Sequence, residues 1–386
     1  MRILMLSHGY PPTVSGVTLV VQKLARAMVL RGHTAMVITA SDRGKPYESE
    51  DQGVRLVRVR SIRNPFWSEG PLPTSNMHTL RKLIEGFQPD LIHSHENAVL
   101  SRQLLRLGFK SRLPLLSSCY FLPAYVTYYL RLGKRINNGI QSLLWTSAVK
   151  NLDQYDQVIF STRSQQQEFV KHGLRAPAVA ISNGVDNTRY YPANGLEKEV
   201  ESHYNLPPRP RVLFVSRLMK DKKVDILLQA MSVILAHQEV HLLLVGRGDD
   251  RPRLELMTAE LGLQPYVHFL GFVPEEDLPA VYRAADLFAI ASVVEVQSIP
   301  AIQAAMTGLP IIAANAAALP ELVQAGRNGY LVSPDDPQAL GEAILQITGD
   351  RTRAQQFGQA SISIGQAHAE TETFRKFDEL YRQFVS

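Results

Sequence analysis

Two cations, a carboxylate and several glycines stand where an α/β chain can gather them around a phosphate. Arg217 follows the apolar run RVLFVS at 211–216, and Lys222 comes five residues later, just before a helical apolar rhythm begins. A guanidinium at a strand end and an ammonium near a helix start can converge on a diphosphate. Lys220 and Lys223, in the same turn, read as ordinary solvated lysines. The segment GYPPTVSG at 9–16 lies between the first predicted strand and the first predicted helix. There Gly16 leaves backbone N–H groups approachable, and the helix dipole favours an anion. The segment is neither a P-loop nor a G-x-G-x-x-G turn, and a plain tight turn is the alternative reading. A third group spans Ser292 to Pro310. Glu295 follows a predicted strand and stands near the start of a helix running to Gly308, and Gln303 sits among Ile302, Ala304, Ala305 and Met306. Glu295 is also a natural helix cap, and a buried Gln303 amide needs partners.

The elements that must position these residues alternate along the chain. Strands are predicted at Arg2–Leu6, Ala35–Thr39, Asp90–His93, Leu115–Ser118, Gln157–Ser161 and Ala178–Ser182, with a helix over Gly16–Arg31. After 183–210, a stretch of Asn, Gly, Pro and charge that reads as a linker, the pattern restarts. Strands are then predicted at Arg211–Ser216, His241–Val245, Val267–Leu270, Leu287–Ala291 and Leu309–Ala313, with a helix near Val224–Ala236. Such alternation predicts two doubly wound, Rossmann-like α/β domains. They would share an interdomain cleft at the carboxyl ends of their strands, where such sheets bind ligands.

A chain of 386 residues is longer than one core usually organises, which agrees with two domains. The single cysteine, Cys119, cannot form an internal disulfide, and no apolar run approaches the roughly 18 residues of a membrane span. A cytoplasmic protein is expected, with no signal-peptide profile at the N-terminus. His93 and His95 alone do not make a metal site.

Taken together and in order, these segments resemble the retaining glycosyltransferases of family 4, which have the GT-B architecture. The resemblance rests on PPTVSG before a helix and Arg31-Gly32-His33, and on Pro89-Asp90-Leu91-Ile92-His93-Ser94-His95. It continues through Ile181-Ser182-Asn183-Gly184-Val185-Asp186, SRLMKDKK, Val245-Gly246-Arg247-Gly248, HFLGFVPEEDL and the Glu295 segment through LPIIAA. It implies an acceptor domain at 1–190, a nucleotide-sugar domain at 191–365, and a C-terminal helix at 366–386 packing back on the first. The implied reaction moves a hexosyl unit from a UDP- or GDP-sugar to a hydroxyl acceptor, without metal or other cofactor. Arg217, Lys222 and Glu295 take the catalytic positions: the cations would neutralise the departing diphosphate, and Glu295 would bond sugar hydroxyls. Gly16, Tyr120, Gly246, Phe272, Val273, Ser298, Ile299 and Gln303 would bind the donor, with 269–273 beside the base.

Two positions depart from the family. Its pair of glutamates eight residues apart is Glu295 and Gln303 here, and its histidine after the strand Leu115–Ser118 is Tyr120. These departures keep open a second reading, a sugar-nucleotide-binding relative without turnover. Charge distribution bears on the acceptor. Between Asn97 and Leu152 there is no Asp or Glu, yet Arg102, Arg106, Lys110, Arg112, Arg131, Lys134, Arg135 and Lys150 all occur. Arg102, Arg106 and Lys110 are spaced to share one helix face. Tyr120, Phe121, Tyr125, Tyr128, Tyr129 and Trp145 are interfacial residue types interleaved with them. The segment also resembles family members acting on lipid acceptors, so a first domain resting peripherally on an anionic membrane is expected. The alternative is a basic surface for a soluble, phosphorylated acceptor, or a merely solvated face.

Overall fold

The computed structural model describes residues 1–13, 15–64, 70–96, 98–129, 134–192, 195 and 197–385. The chain divides into two compact units, residues 1–182 with 373–386, and residues 183–372.

In the first unit the strands are β1 (Arg2–Ser7), β2 (Thr34–Ala40), β3 (Tyr47–Asp51), β4 (Val54–Val59), β5 (Ser61–Arg63), β6 (Pro71–Pro73), β7 (Leu91–Ser94), β8 (Leu115–Cys119), β9 (Gln157–Phe160) and β10 (Ala178–Ala180). Eight of them form one sheet in the order β10-β9-β8-β7-β1-β2-β4-β3, while β5 and β6 pair separately. All neighbours in the large sheet run parallel except β3 with β4. Ile3 to Leu6 are fully buried, as a strand covered on both faces requires. From β1 the chain builds outward through β2 and β4, then returns to the other side of β1 as β7. That reversal opens a crevice at the carboxyl ends of β1 and β7. The helix Gly16–Leu30 starts on a capping box, in which Ser15 accepts from the Thr18 N–H. It buries Val21, Leu24, Ala25 and Met28, and Gly32 ends it at φ +83°.

Residues 373–386 complete this unit within the helix Glu370–Val385, burying Phe377, Leu380 and Tyr381 in the core face with Ile3, Met5 and Val21. Asp378 bonds His33 Nε2 at 2.8 Å, which lowers the carboxyl pKa against the opposing effect of its burial.

The second unit has six parallel strands: β11 (Arg211–Val215), β12 (His241–Val245), β13 (Val267–Gly271), β14 (Leu287–Ile290), β15 (Ile311–Ala314) and β16 (Gly329–Val332). Their order is β13-β12-β11-β14-β15-β16, so here the reversal falls between β11 and β14. The predicted strand at Leu309–Ala313 starts two residues late because Gly308 (φ +81°) closes the preceding helix. The expected linker at 183–210 is part of this unit and contains the helix Lys198–His203. Among the described residues no helix is long and apolar enough to cross a membrane.

Candidate active site

At the reversal point of the second unit, the loops after β11 and β14 are stapled together. The Asp221 carbonyl accepts from Val293 N–H at 3.3 Å and from Ser292 Oγ at 3.2 Å. Lys220–Lys222 forms a single 3-10 turn closed by Lys223 at φ +52°. The turn sends Lys222 inward, to 5% exposure, while Lys223 pairs outward with Asp335. Lys222 Nζ meets Glu295 Oε1 at 2.7 Å and Asp221 Oδ2 at 3.3 Å. Glu295 and Asp221 are themselves 8% and 2% exposed. A buried ammonium flanked by two carboxylates is anchored in one position. Arg217, by contrast, is exposed at the end of β11.

Glu295 does not cap the following helix. Ser298 does, accepting from the Ala301 N–H, and Ile299 begins the helix Ile299–Met306. Because the cap is supplied by Ser298, the Glu295 carboxylate is available to Lys222. Gln303 is buried further along this helix, where its Oε1 accepts from the Tyr282 hydroxyl at 2.9 Å.

Gly246 has a structural reason to be glycine. At φ +133° a Cβ there would lie 1.9 Å from the Ser216 carbonyl oxygen, and its N–H donates to Gly271 O at 2.7 Å. Gly246 therefore lets β11 and β12 end side by side. Just beyond β13, Phe272 is 62% exposed with the Arg247 guanidinium 5.5 Å from its ring, while Val273 is buried.

In the first unit, Gly16 lies exposed at the first helical position with open space where a side chain would be. The loop before it is held from behind. Arg58 donates to the Pro11 carbonyl, and the Tyr10 hydroxyl donates to Asp51 at 2.6 Å, a carboxylate also gripped by Arg26. Sequence reasoning missed Arg58 and Asp51, whose partners lie far away in the chain, and Asp221, whose carbonyl meets Ser292 and Val293 about 70 residues on.

Tyr120 faces inward. Its hydroxyl bonds His95 Nδ1 at 2.9 Å, and the nearby Ser118 hydroxyl offsets part of the rise that burial gives its pKa. Ser118 Oγ in turn bonds His93 Nε2 at 2.9 Å, and His93 Nδ1 bonds the Tyr381 hydroxyl at 2.6 Å. Burial pushes the Tyr120 phenol up and both imidazoles down, His95 to about 3. Among the described residues no group of three or more His, Cys, Asp or Glu is placed to hold a metal.

This geometry puts a buried cation–carboxylate pair and two helix starts on the carboxyl side of parallel sheets. Residues 14–189 match the model of Glycosyltransferase Family 4, and residues 209–350 match that of Glycosyl transferases group 1. The chain belongs to the family 4 glycosyltransferases. This glycosyltransferase is 27% identical over 361 residues to an uncharacterized glycosyltransferase of Methanocaldococcus jannaschii, covering 91% of this chain and 90% of the relative. It is 28% identical to a D-inositol 3-phosphate glycosyltransferase of Corynebacterium jeikeium, covering 89% and 88%. It is 25% identical to a GDP-mannose-dependent alpha-(1-6)-phosphatidylinositol monomannoside mannosyltransferase of Mycobacterium tuberculosis, covering 93% and 92%. In fold it matches sucrose-phosphate synthase of Thermosynechococcus elongatus with a TM-score of 0.79 at 24% identity, covering 99% and 98%. The two Rossmann-like halves are those of the GT-B glycosyltransferases, a class that transfers glycosyl groups.

The basic segment of the glycosyltransferase is only partly an open surface. Arg102 and Arg106 are exposed on the helix Val99–Arg106. Lys110 does not share that face, because Gly108 (φ +72°) breaks the chain into a separate turn, where Lys110 pairs with Asp156 at 3.7 Å. Trp145 is not interfacial: it is 6% exposed, stacked on His172 and edge-on to Phe169. Exposed apolar residues of the helix Lys134–Leu152 are instead Ile136 and Leu143. Arg131 and the side chains of Tyr129, Lys134 and Arg135 lie outside the described residues.

Proposed function

We propose that this protein moves a hexosyl unit from a UDP- or GDP-sugar to a hydroxyl acceptor with retention of configuration. The observation that carries the reading is the buried Lys222–Glu295 contact of 2.7 Å at the reversal between β11 and β14. Lys222 Nζ, fixed by the carboxylates, is a preorganised positive charge for a departing diphosphate, and exposed Arg217 adds a second. The free Glu295 oxygen accepts from sugar hydroxyls. The Gly16 N–H and the backbone at Ser298 and Ile299 bond phosphate and sugar oxygens, as helix starts favour. Phe272 and Val273 flank the base, Gly246 keeps the neighbouring loops close together, Gln303 bonds the ribose and Tyr120 lines the sugar end. These protein charges neutralise the diphosphate without a metal.

For the acceptor, relatives named for inositol phosphate and phosphatidylinositol support a polyol hydroxyl, free or lipid-linked. Exposed Arg102 and Arg106 favour the lipid-linked form on an anionic membrane, with about 1 kcal/mol contributed per basic residue near the surface. Transfer assays with UDP-glucose and GDP-mannose, with and without phosphatidylinositol vesicles, test both halves. Nucleotide-sugar binding without any transfer or hydrolysis would leave a binding protein. Absence of sedimentation with anionic vesicles at low salt, or sedimentation unchanged by Arg102→Glu with Arg106→Glu, would leave a soluble acceptor.

A further inference from the structure

The bonds of Tyr381 with His93, of His93 with Ser118 and of Tyr120 with His95 have directions that the buried hydroxyls decide. Burial keeps both imidazoles neutral, so each carries a single N–H. If His93 held its proton on Nδ1, it would donate to Tyr381. The Tyr381 hydroxyl, 0% exposed, would then keep a buried proton without an acceptor, because among the described residues it bonds only His93. The opposite order places both tyrosine protons. Tyr381 donates to His93 Nδ1 and His93 Nε2–H to Ser118, while Tyr120, whose hydroxyl among the described residues bonds only His95, donates to His95 Nδ1.

One group is then left over, the Nε2–H of His95. Its nitrogen is buried and has no hydrogen-bond partner among the described residues, in a residue 2% exposed. His95 stands one residue past β7, with its N–H on the Leu6 carbonyl of β1, so it marks the crevice where the first sheet reverses. A sealed donor without a partner carries the full cost of its lost hydration, and a ligand oxygen arriving there removes that cost.

We propose that His95 Nε2–H is a ligand contact of the first unit, donating to a hydroxyl oxygen of a sugar or polyol. Tyr120 is then the positioning residue that holds the ring in the required tautomer. The inference rests on the transferase reading above and names the side chain that meets a substrate hydroxyl. A neutral ring bonded to a neutral phenol suits a neutral oxygen; phosphate is better matched by the chain's cations.

The test uses the full chain with 15N-labelled histidine. Nuclear magnetic resonance should show His95 protonated on Nε2, and a proton on Nδ1 overturns the proposal. UDP-glucose, GDP-mannose or myo-inositol should move the His95 Nε2 signal, the nucleotide sugars pointing to the donor and inositol to the acceptor. UDP alone and inorganic phosphate should not move it. A signal unmoved by every sugar or polyol that binds assigns the N–H to an internal water and overturns the proposal. If no nucleotide sugar binds, the transferase reading fails, and silence with inositol then removes this inference as well.

Two variants separate the two sides of the ring. A glutamine amide reaches the Nε2 side of the ring, whereas an asparagine amide overlays the Nδ1 side. His95→Gln should keep kcat/KM within about threefold, and His95→Asn should lose roughly tenfold, as a lost hydrogen bond implies. UDP inhibition should stay unchanged in both. The reverse order would show that His95 serves only Tyr120.

Discussion

Replacing Lys222 with alanine should damage stability and turnover together, and the two effects can be separated. Nζ is the shared partner of Glu295 at 2.7 Å and Asp221 at 3.3 Å, with all three residues below 10% exposure. Removing it takes from two buried carboxylates the ammonium they share, and breaking a buried pair in this way costs about 3–5 kcal/mol. At roughly 2–4 °C per kcal/mol for a unit of this size, the melting temperature should fall by on the order of 10 °C. Loss of the fixed charge at the diphosphate should raise the barrier by a further 2–4 kcal/mol or so, roughly thirty- to a thousandfold in kcat. Adding Glu295→Gln to Lys222→Ala removes one stranded charge, so it should recover part of the stability but none of the turnover. Differential scanning calorimetry and a nucleotide-release assay on the three proteins give both numbers. Unchanged melting in Lys222→Ala would refute the buried pair, and unchanged turnover would refute its role at the diphosphate.

Because Arg217 is exposed, Arg217→Ala should lose about 2–4 kcal/mol of barrier stabilisation while the melting temperature stays within about 1–2 °C, and normal turnover would remove it from the site. Gln303→Glu keeps an oxygen for the Tyr282 hydroxyl, so the fold should survive and nucleotide affinity should hold or tighten by up to about 1 kcal/mol; a tenfold loss in calorimetry would contradict a ribose contact. Burial depresses the imidazoles of His93 and His95, the latter to about 3, so the unfolded chain binds their protons first as pH falls. Their contribution to stability is complete above pH 6.5 and declines below it, by up to about 1.4 kcal/mol per pH unit for each ring. Melting scans from pH 7.5 to 5 should therefore show a falling midpoint, and a flat profile would place these rings in contact with water.

The sheets could be read from the sequence because parallel strands buried on both faces are continuous apolar runs, as in RVLFV and HLLLV. Tyr47–Asp51 escaped that reading: its YESED is polar and largely exposed, and only its antiparallel pairing with β4 makes it a strand. The site was legible as a set of residue types at strand ends, but not as pairings. Nothing local separates Lys222 from Lys220 or Lys223; what draws it inward is Glu295, 73 residues away. Gln303 finds its partner 21 residues back, and His93 bonds a tyrosine 288 residues on. Trp145 looked interfacial among the cations because sequence position says nothing about the Phe169 and His172 rings that enclose it.

The return of residues 373–386 to the first unit also sets an order of events during synthesis. Residues 1–182 leave the ribosome first, yet the core face that receives Phe377, Leu380 and Tyr381 stays uncovered until the whole second unit has been made. At roughly 5–20 residues per second, that interval is on the order of 10–40 s. For that time the nascent first unit exposes apolar surface around Ile3, Met5 and Val21, together with the His93 Nδ1 that Tyr381 will bond. A growing chain in this state is a natural client for a holding chaperone. Truncation anywhere beyond residue 182 and before 373 would make that exposure permanent.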